Sequence, residues 1–183
     1  GKRYLTGSFN HGSMANALPM AIGAAASSPG RQVVAMCGDG GLSMLLGDLA
    51  TLMQYQYPVK IFVFNNRSLA MVKLEMEVSG YLDWQTNMVN PPFDKIADLM
   101  NIKGYEVHKT EELEATVKAA FEHEGPTLVN IYTNRDTLAM PPHITFDQMK
   151  GFATNVMKKI GQGDFSEAKE SIANSIKHIK DIL

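Results

Sequence analysis

The chain has 183 residues, 45% of them apolar, and 17 lysines and arginines against 19 aspartates and glutamates for a formal charge of −2. That size and apolar content suffice for a buried core without disulfides, and the near-balanced charge excludes the basic footprint of a nucleic-acid-binding protein. No apolar run approaches the ~18 residues of a membrane span and no signal-peptide pattern opens the chain; with the single Cys37 inside an apolar run, a cytoplasmic protein with a packed thiol is expected.

The opening Gly1-Lys2-Arg3, without an initiating Met, reads as part of something longer. Residues 15–26, rich in alanine, predict a closely packing helix with Pro19 in its first turns or kinking it. After the turn Ser27-Ser28-Pro29-Gly30, residues 32–37 form an apolar run typical of a strand covered on both faces. Residues 42–55 predict a helix with Leu45, Leu49, Leu52 and Met53 on one stripe, ended by Pro58. A second strand at 59–64 is followed by a helix at 67–79 that Gly80 stops. Residues 81–92, with Trp84 and Pro91-Pro92, make an irregular loop of the kind that borders a site.

A short helix at 93–100, a strand at 104–108, a helix at 111–123 capped by Thr110, and a strand at 127–132 complete the pattern. Alternating strands and helices predict an α/β, three-layer αβα architecture with a mostly parallel sheet, whose ligands bind at the carboxyl ends of the strands. Past Met140-Pro141-Pro142 two helical stretches, 146–160 and 165–183, form a tail. Phe165, Ala168, Ile172, Ile176, Ile179 and Leu183 share one face of its second stretch. The expected division is a domain at 1–142 and a helical extension at 143–183.

The strand at 32–37 runs straight into Gly38-Asp39-Gly40-Gly41. Glycines leave backbone N–H groups unshielded for an anion such as a phosphate, and a carboxylate beside a phosphate calls for a cation between them. Mg²⁺, with its preference for oxygen ligands and diphosphate oxygens, meets that demand, and Asn66 at the end of the neighbouring strand supplies a second oxygen donor. Taken singly, Asp39 fits a helix cap and Asn66 a turn. Their placement at two successive strand ends favours ligands. His11, beside Gly12-Ser13, suits a substrate or flavin contact as well as a packing role.

Gly38-Asp39-Gly40, followed one helix and one strand later by Asn65-Asn66, resembles the thiamine-diphosphate signature. Residues 5–17, 31–41, 58–66 and Met140-Pro141-Pro142 are similar to the C-terminal, diphosphate-binding domain of a pyruvate oxidase of the pyruvate:quinone oxidoreductase type. The resemblance implies a thiamine-diphosphate-binding fold in which Asp39, the Asn66 side chain and the Ser68 carbonyl hold Mg²⁺. It implies cofactor contacts from Ser13, Met14, Gly38, Gly40, Gly41, Ser43, Leu69, Ala70 and Met71, with Met14 propping the cofactor into a bent shape. Met71, Val72 and Glu75 would line the reaction centre.

The implied reaction converts pyruvate to acetate and carbon dioxide, with FAD held mainly by a domain absent from this chain and electrons passed to a membrane quinone. A homo-oligomer, dimer or tetramer, is implied, because the glutamate that activates the cofactor comes from another domain of a partner subunit; the chain alone is expected to be inactive. Peripheral contact with the inner face of the cell membrane through 165–183 is implied too, although Lys169, Lys177 and Lys180 are balanced by Asp164, Glu167, Glu170 and Asp181. Two alternatives are an acetolactate synthase, whose Leu-Gly-Met-Val is close to Leu69-Ala70-Met71-Val72 but which commonly has Trp where Glu75 stands, and a non-catalytic dimerisation or binding module, which would have no need of Asp39 and Asn66 together.

Overall fold

The computed structural model describes residues 3–135, 145–166, 168–169 and 171–173. In chain order the elements are α1 (Ala17–Ser27), β1 (Val33–Gly38), α2 (Asp39–Met44), α3 (Leu49–Tyr55), β2 (Val59–Asn65), α4 (Ala70–Val78), α5 (Phe93–Leu99), β3 (Lys103–Val107), α6 (Thr110–Glu122), β4 (Thr127–Tyr132) and α7 (Phe146–Gly161). The chain groups into two units, Gly1–Arg67 with Val89–Thr133, and Ser68–Met88 with Asn134–Leu183. The boundary expected at residue 142 lies outside the described residues.

The first unit is a three-layer α/β structure. Its four strands are all parallel and stand in the order β1-β2-β4-β3. Valine, isoleucine and phenylalanine dominate β2, and threonine, valine, isoleucine and tyrosine make up most of β4; such branched and aromatic side chains suit a pleated surface buried on both sides. On one face Ala35, Cys37, Ile61, Val63 and Leu128 pack with Leu18, Leu49, Leu52, Phe93 and Ala97 from the helices. On the other, Phe62, Val129 and Ile131 meet Leu113, Val117 and Ala120 of α6. Because α6 lies over β3 and β4, the edge strand β1 is not covered on both faces as its composition suggests: Val34 is 42% exposed and Met36 65%.

Three local expectations are corrected. The helix predicted at 42–55 starts earlier, at Asp39, and is split, with a 3₁₀ turn at Leu46–Asp48 between α2 and α3. Ser43 donates its hydroxyl to the Asp39 carbonyl at 2.8 Å, and Gly47 is a poor helix former, so the continuous stripe is lost and Leu45 and Met53 are exposed. The helix predicted from residue 67 begins at Ala70, because Arg67 takes a left-handed φ of 56° and Ser68 bridges Asn87 in antiparallel fashion. Thr110 is the first residue of α6 rather than its cap. The Glu112 carboxylate instead accepts the N–H groups of His108 and Lys109 at 3.1 and 3.2 Å. Pro19 sits in the first turn of α1, where no helical N–H is required.

In the second unit α4 packs against α7. A Cβ at Gly151 would stand 1.9 Å from the Val78 carbonyl oxygen, so only glycine lets the two backbones approach this closely. The Lys159 ammonium is 2.8 Å from the Glu77 carboxylate, and both side chains are 4% exposed. Thr145 and Gln148 close a capping box at the start of α7. Of the predicted apolar face at 165–183, Ala168 is buried while Phe165 and Ile172 are exposed; residues 174–183 lie outside the described residues.

Candidate functional site

In the first unit, parallel pairing sets Gly38 opposite Phe64, so the carboxyl ends of β1 and β2 lie side by side. Asp39 stands where β1 becomes α2, and is 3% exposed. A carboxylate this buried must be matched by donors. Its Oδ1 accepts the Gly40 N–H at 3.0 Å, and its Oδ2 accepts the Arg67 N–H at 2.8 Å and the Asn90 side-chain amide at 2.6 Å. The left-handed turn at Arg67 aims that N–H back across the strand ends, and Asn66, half-buried, occupies the position between the end of β2 and this turn.

The glycines divide by role. A Cβ on Gly41 would fall 2.4 Å from the Met14 carbonyl oxygen, so glycine is what lets the segment before α1 lie across the start of α2. A Cβ on Gly38 would meet nothing within 4 Å, which leaves open space beside the carboxylate. Met14 and Ser43 are exposed, and the exposed Ser13 accepts the Ala15 N–H at 3.3 Å. His11 is exposed in a turn closed by the Gly12 N–H on the Ser8 carbonyl. Burial, followed by the Asp39 charge, pushes the Cys37 thiol up to about 12; it is the packed, unreactive group that its apolar surroundings predict.

In the second unit, Ser68 is buried, and the Leu69 N–H bonds the Thr86 carbonyl at 2.8 Å just before α4. Ala70 begins the helix, half-buried. Met71, Val72 and Glu75 share its exposed side, while Lys73, Leu74 and Glu77 are buried. The structure thus presents the three expected reaction-centre residues together on one side of α4.

A profile of the thiamine pyrophosphate enzymes, for their C-terminal TPP binding domain, matches residues 1–131. The chain belongs to this family. It is 34% identical over 162 residues to YdaP of Bacillus subtilis, whose name describes it as thiamine pyrophosphate-containing, covering 88% of this chain and 28% of that protein. It is 34% identical over 131 residues to the mitochondrial acetolactate synthase catalytic subunit of Saccharomyces cerevisiae (71% and 19%) and over 143 residues to the pyruvate oxidase of Lactiplantibacillus plantarum (76% and 24%). The chain therefore spans between about a fifth and somewhat over a quarter of the length of these relatives.

The site of this thiamine pyrophosphate enzyme domain fits its cofactor on its own chemistry. Among the described residues no three His, Cys, Asp or Glu side chains converge as a metal cage. One buried carboxylate at adjoining strand ends, with open space over Gly38, instead suits a Mg²⁺ that keeps diphosphate oxygens and waters in its shell. Sequence reasoning missed Asn90 and Asn130, and met Asn65 only as the neighbour of Asn66 in the signature. Asn90 Nδ2 donates to Asp39 and, at 2.9 Å, to Asn65 Oδ1; Asn65 Nδ2 donates at 3.0 Å to Asn130 Oδ1. The available signal was an asparagine before Pro91-Pro92 in the loop singled out as site-bordering, and another inside the buried run of β4.

Proposed function

We propose that this domain holds the diphosphate and Mg²⁺ of an enzyme that oxidatively decarboxylates pyruvate to acetate and carbon dioxide, using FAD and a membrane quinone as acceptors. The observation that carries the cofactor part is Asp39: a buried carboxylate, oriented by three N–H donors, at the carboxyl ends of two adjacent parallel strands. Thiamine diphosphate, when bound, supplies the carbon nucleophile and electron sink for decarboxylation of a 2-keto acid.

Around it, Asp39, the Asn66 side chain and the Ser68 carbonyl hold the metal. Gly38, Gly40, Gly41, Ser13, Ser43, Leu69 and Ala70 contribute backbone and hydroxyl contacts, and Met14 props the cofactor. Met71, Val72 and Glu75, together on the exposed side of α4, line the reaction centre. The flavin, the quinone, a homo-oligomer whose partner completes the site, and membrane contact through 165–183 belong to the same proposal; they are supported by the resemblance of the motifs. Among the described residues no helix is long and apolar enough to cross a membrane.

Acetolactate synthesis is the second reading, favoured by 34% identity to a synthase, equal to that with the oxidase, and by Leu69-Ala70-Met71-Val72. The two part at the fate of the two-carbon unit. Calorimetric titration of thiamine diphosphate into the full-length protein with and without Mg²⁺, followed by product analysis from pyruvate, separates them. Metal-dependent binding, acetate and reduction of a quinone analogue support the oxidase. Acetolactate without quinone reduction moves the protein to the synthase, and absence of binding removes the cofactor reading.

A further inference from the structure

Three asparagines lead from Asp39 into the sheet, and their polarity is set from one end. A carboxylate only accepts, so Asn90 must turn its NH₂ toward Asp39 Oδ2. The same NH₂ reaches Asn65 Oδ1, which obliges Asn65 to present its own NH₂ to Asn130 Oδ1. Asn130, fully buried on the central strand β4, is left with its Nδ2 without a hydrogen-bond acceptor among the described residues. A buried unpaired donor is destabilising. Turning Asn130 round would relieve nothing unless all three amides reversed, and that would set the Asn90 oxygen against the carboxylate.

With the Arg67 N–H, Asn90 occupies Oδ2 twice, whereas among the described residues Oδ1 accepts only the Gly40 N–H. An ionised carboxylate offers about four lone-pair directions. We infer that Asn90, Asn65 and Asn130 form an amide relay that fixes the Asp39 carboxylate so that Oδ1 alone faces a cation, making Asn90 a positioning residue for one-oxygen ligation of Mg²⁺. The relay rests on the cofactor reading proposed above and adds a specific orientation to it.

The test titrates thiamine diphosphate calorimetrically into the full-length protein at a series of Mg²⁺ concentrations, for wild type, Asn90→Ala, Asn130→Val and the double variant, with thermal unfolding alongside. Groups that orient metal ligands typically change metal affinity ~10–100-fold, so Asn90→Ala is expected to raise the half-saturating Mg²⁺ concentration at least about 10-fold. Asn130→Val, two links from the carboxylate, is expected to raise it less, and the double variant no further than Asn90→Ala alone, because a relay is broken once. An Asn90→Ala protein that binds at the wild-type Mg²⁺ concentration, or effects of the two substitutions that simply add, would overturn the relay. Where Asn90→Ala does not fold, an unmoved half-saturation in Asn130→Val overturns it equally. Wild type that binds no cofactor at any Mg²⁺ concentration removes the cofactor reading and the relay together; wild type that binds normally beside an unaffected Asn90→Ala removes the relay alone.

Discussion

The Met14 carbonyl stands 2.4 Å from where a Cβ on residue 41 would lie, whereas residue 38 faces open space. The two glycines should therefore respond in opposite ways to the same methyl group. Gly41→Ala must displace the backbone of residue 14, and overpacking of this kind costs about 1–3 kcal/mol; better helix propensity returns no more than about 1 kcal/mol. Gly38, with φ −80° and ψ 163°, has a backbone that alanine adopts without strain. Gly38→Ala is expected to hold or slightly raise the denaturant midpoint and to weaken thiamine diphosphate binding, while Gly41→Ala lowers the midpoint itself. Denaturant unfolding beside calorimetry on each variant separates a steric role from a cofactor contact.

Cys37 makes a prediction on the alkaline side. Its thiol ordinarily ionises near 9.0, but burial and Asp39 push it to about 12, so the folded state keeps a proton that the unfolded chain releases. The stability this contributes is fully present below pH 9.0 and is lost as pH rises toward about 12, with a limiting slope of about 1.4 kcal/mol per pH unit. Urea unfolding measured from pH 7 upward should show that decline in wild type and a flatter profile in Cys37→Val. At this scale the burial of Asp39 at a strand end and the buried thiol were legible, since a carboxylate between glycines at the end of an apolar run is a local pattern. The asparagine relay was not: Asn65, Asn90 and Asn130 are far apart in the chain, and an asparagine looks the same in sequence whether it closes a turn or orients a carboxylate.

Elements carry a different kind of information. Periodicity located the strands and most helices because burial of β2, β4 and the core-facing stripes follows the repeat of the backbone. It missed the break between α2 and α3 and the late start of α4, where the Ser43 hydroxyl and the left-handed Arg67 override propensity through contacts a repeat does not encode. The α4–α7 pairing depends on Glu77 and Lys159, charges that a helical wheel would assign to solvent. Removing one partner of such a buried pair leaves an uncompensated charge and costs about 3–5 kcal/mol, so Glu77→Ala and Lys159→Ala should each destabilise the protein markedly. Replacing both by methionine should come close to neutral. A double variant as unstable as the singles would show that the charges themselves are required. At the start of α6 the Glu112 carboxyl is held below its ordinary 4.5 by the His108 and Lys109 N–H groups. Its contribution is present above pH 4.5 and lost as pH falls through the lowered value, and an acid titration of helicity should show Glu112→Gln lacking that component.

At the scale of the whole molecule, each compact unit draws on two separated stretches of chain, which composition shifts along the sequence do not express. The two differ in what holds them. The first buries a parallel sheet between two apolar clusters. In the second, the buried apolar side chains among the described residues are Leu74, Val156 and Ala168, and they are outnumbered by buried Ser68, Lys73, Glu77, Thr86, Asn155 and Lys159. Apolar burial sets the free energy of local opening, since polar pairs gain little net over their hydration. Amide hydrogen exchange should therefore find β2 and β4 most protected and α4 and α7 opening at lower free energy. Glu77→Ala should accelerate exchange in α4 and α7 while leaving β2 and β4 unmoved; equal protection of all four, or acceleration spread evenly over them, would mean that the units open as one. The helix that presents Met71, Val72 and Glu75 belongs to the unit expected to open first, whereas Asp39, the proposed metal ligand, belongs to the sheet unit expected to be the more protected.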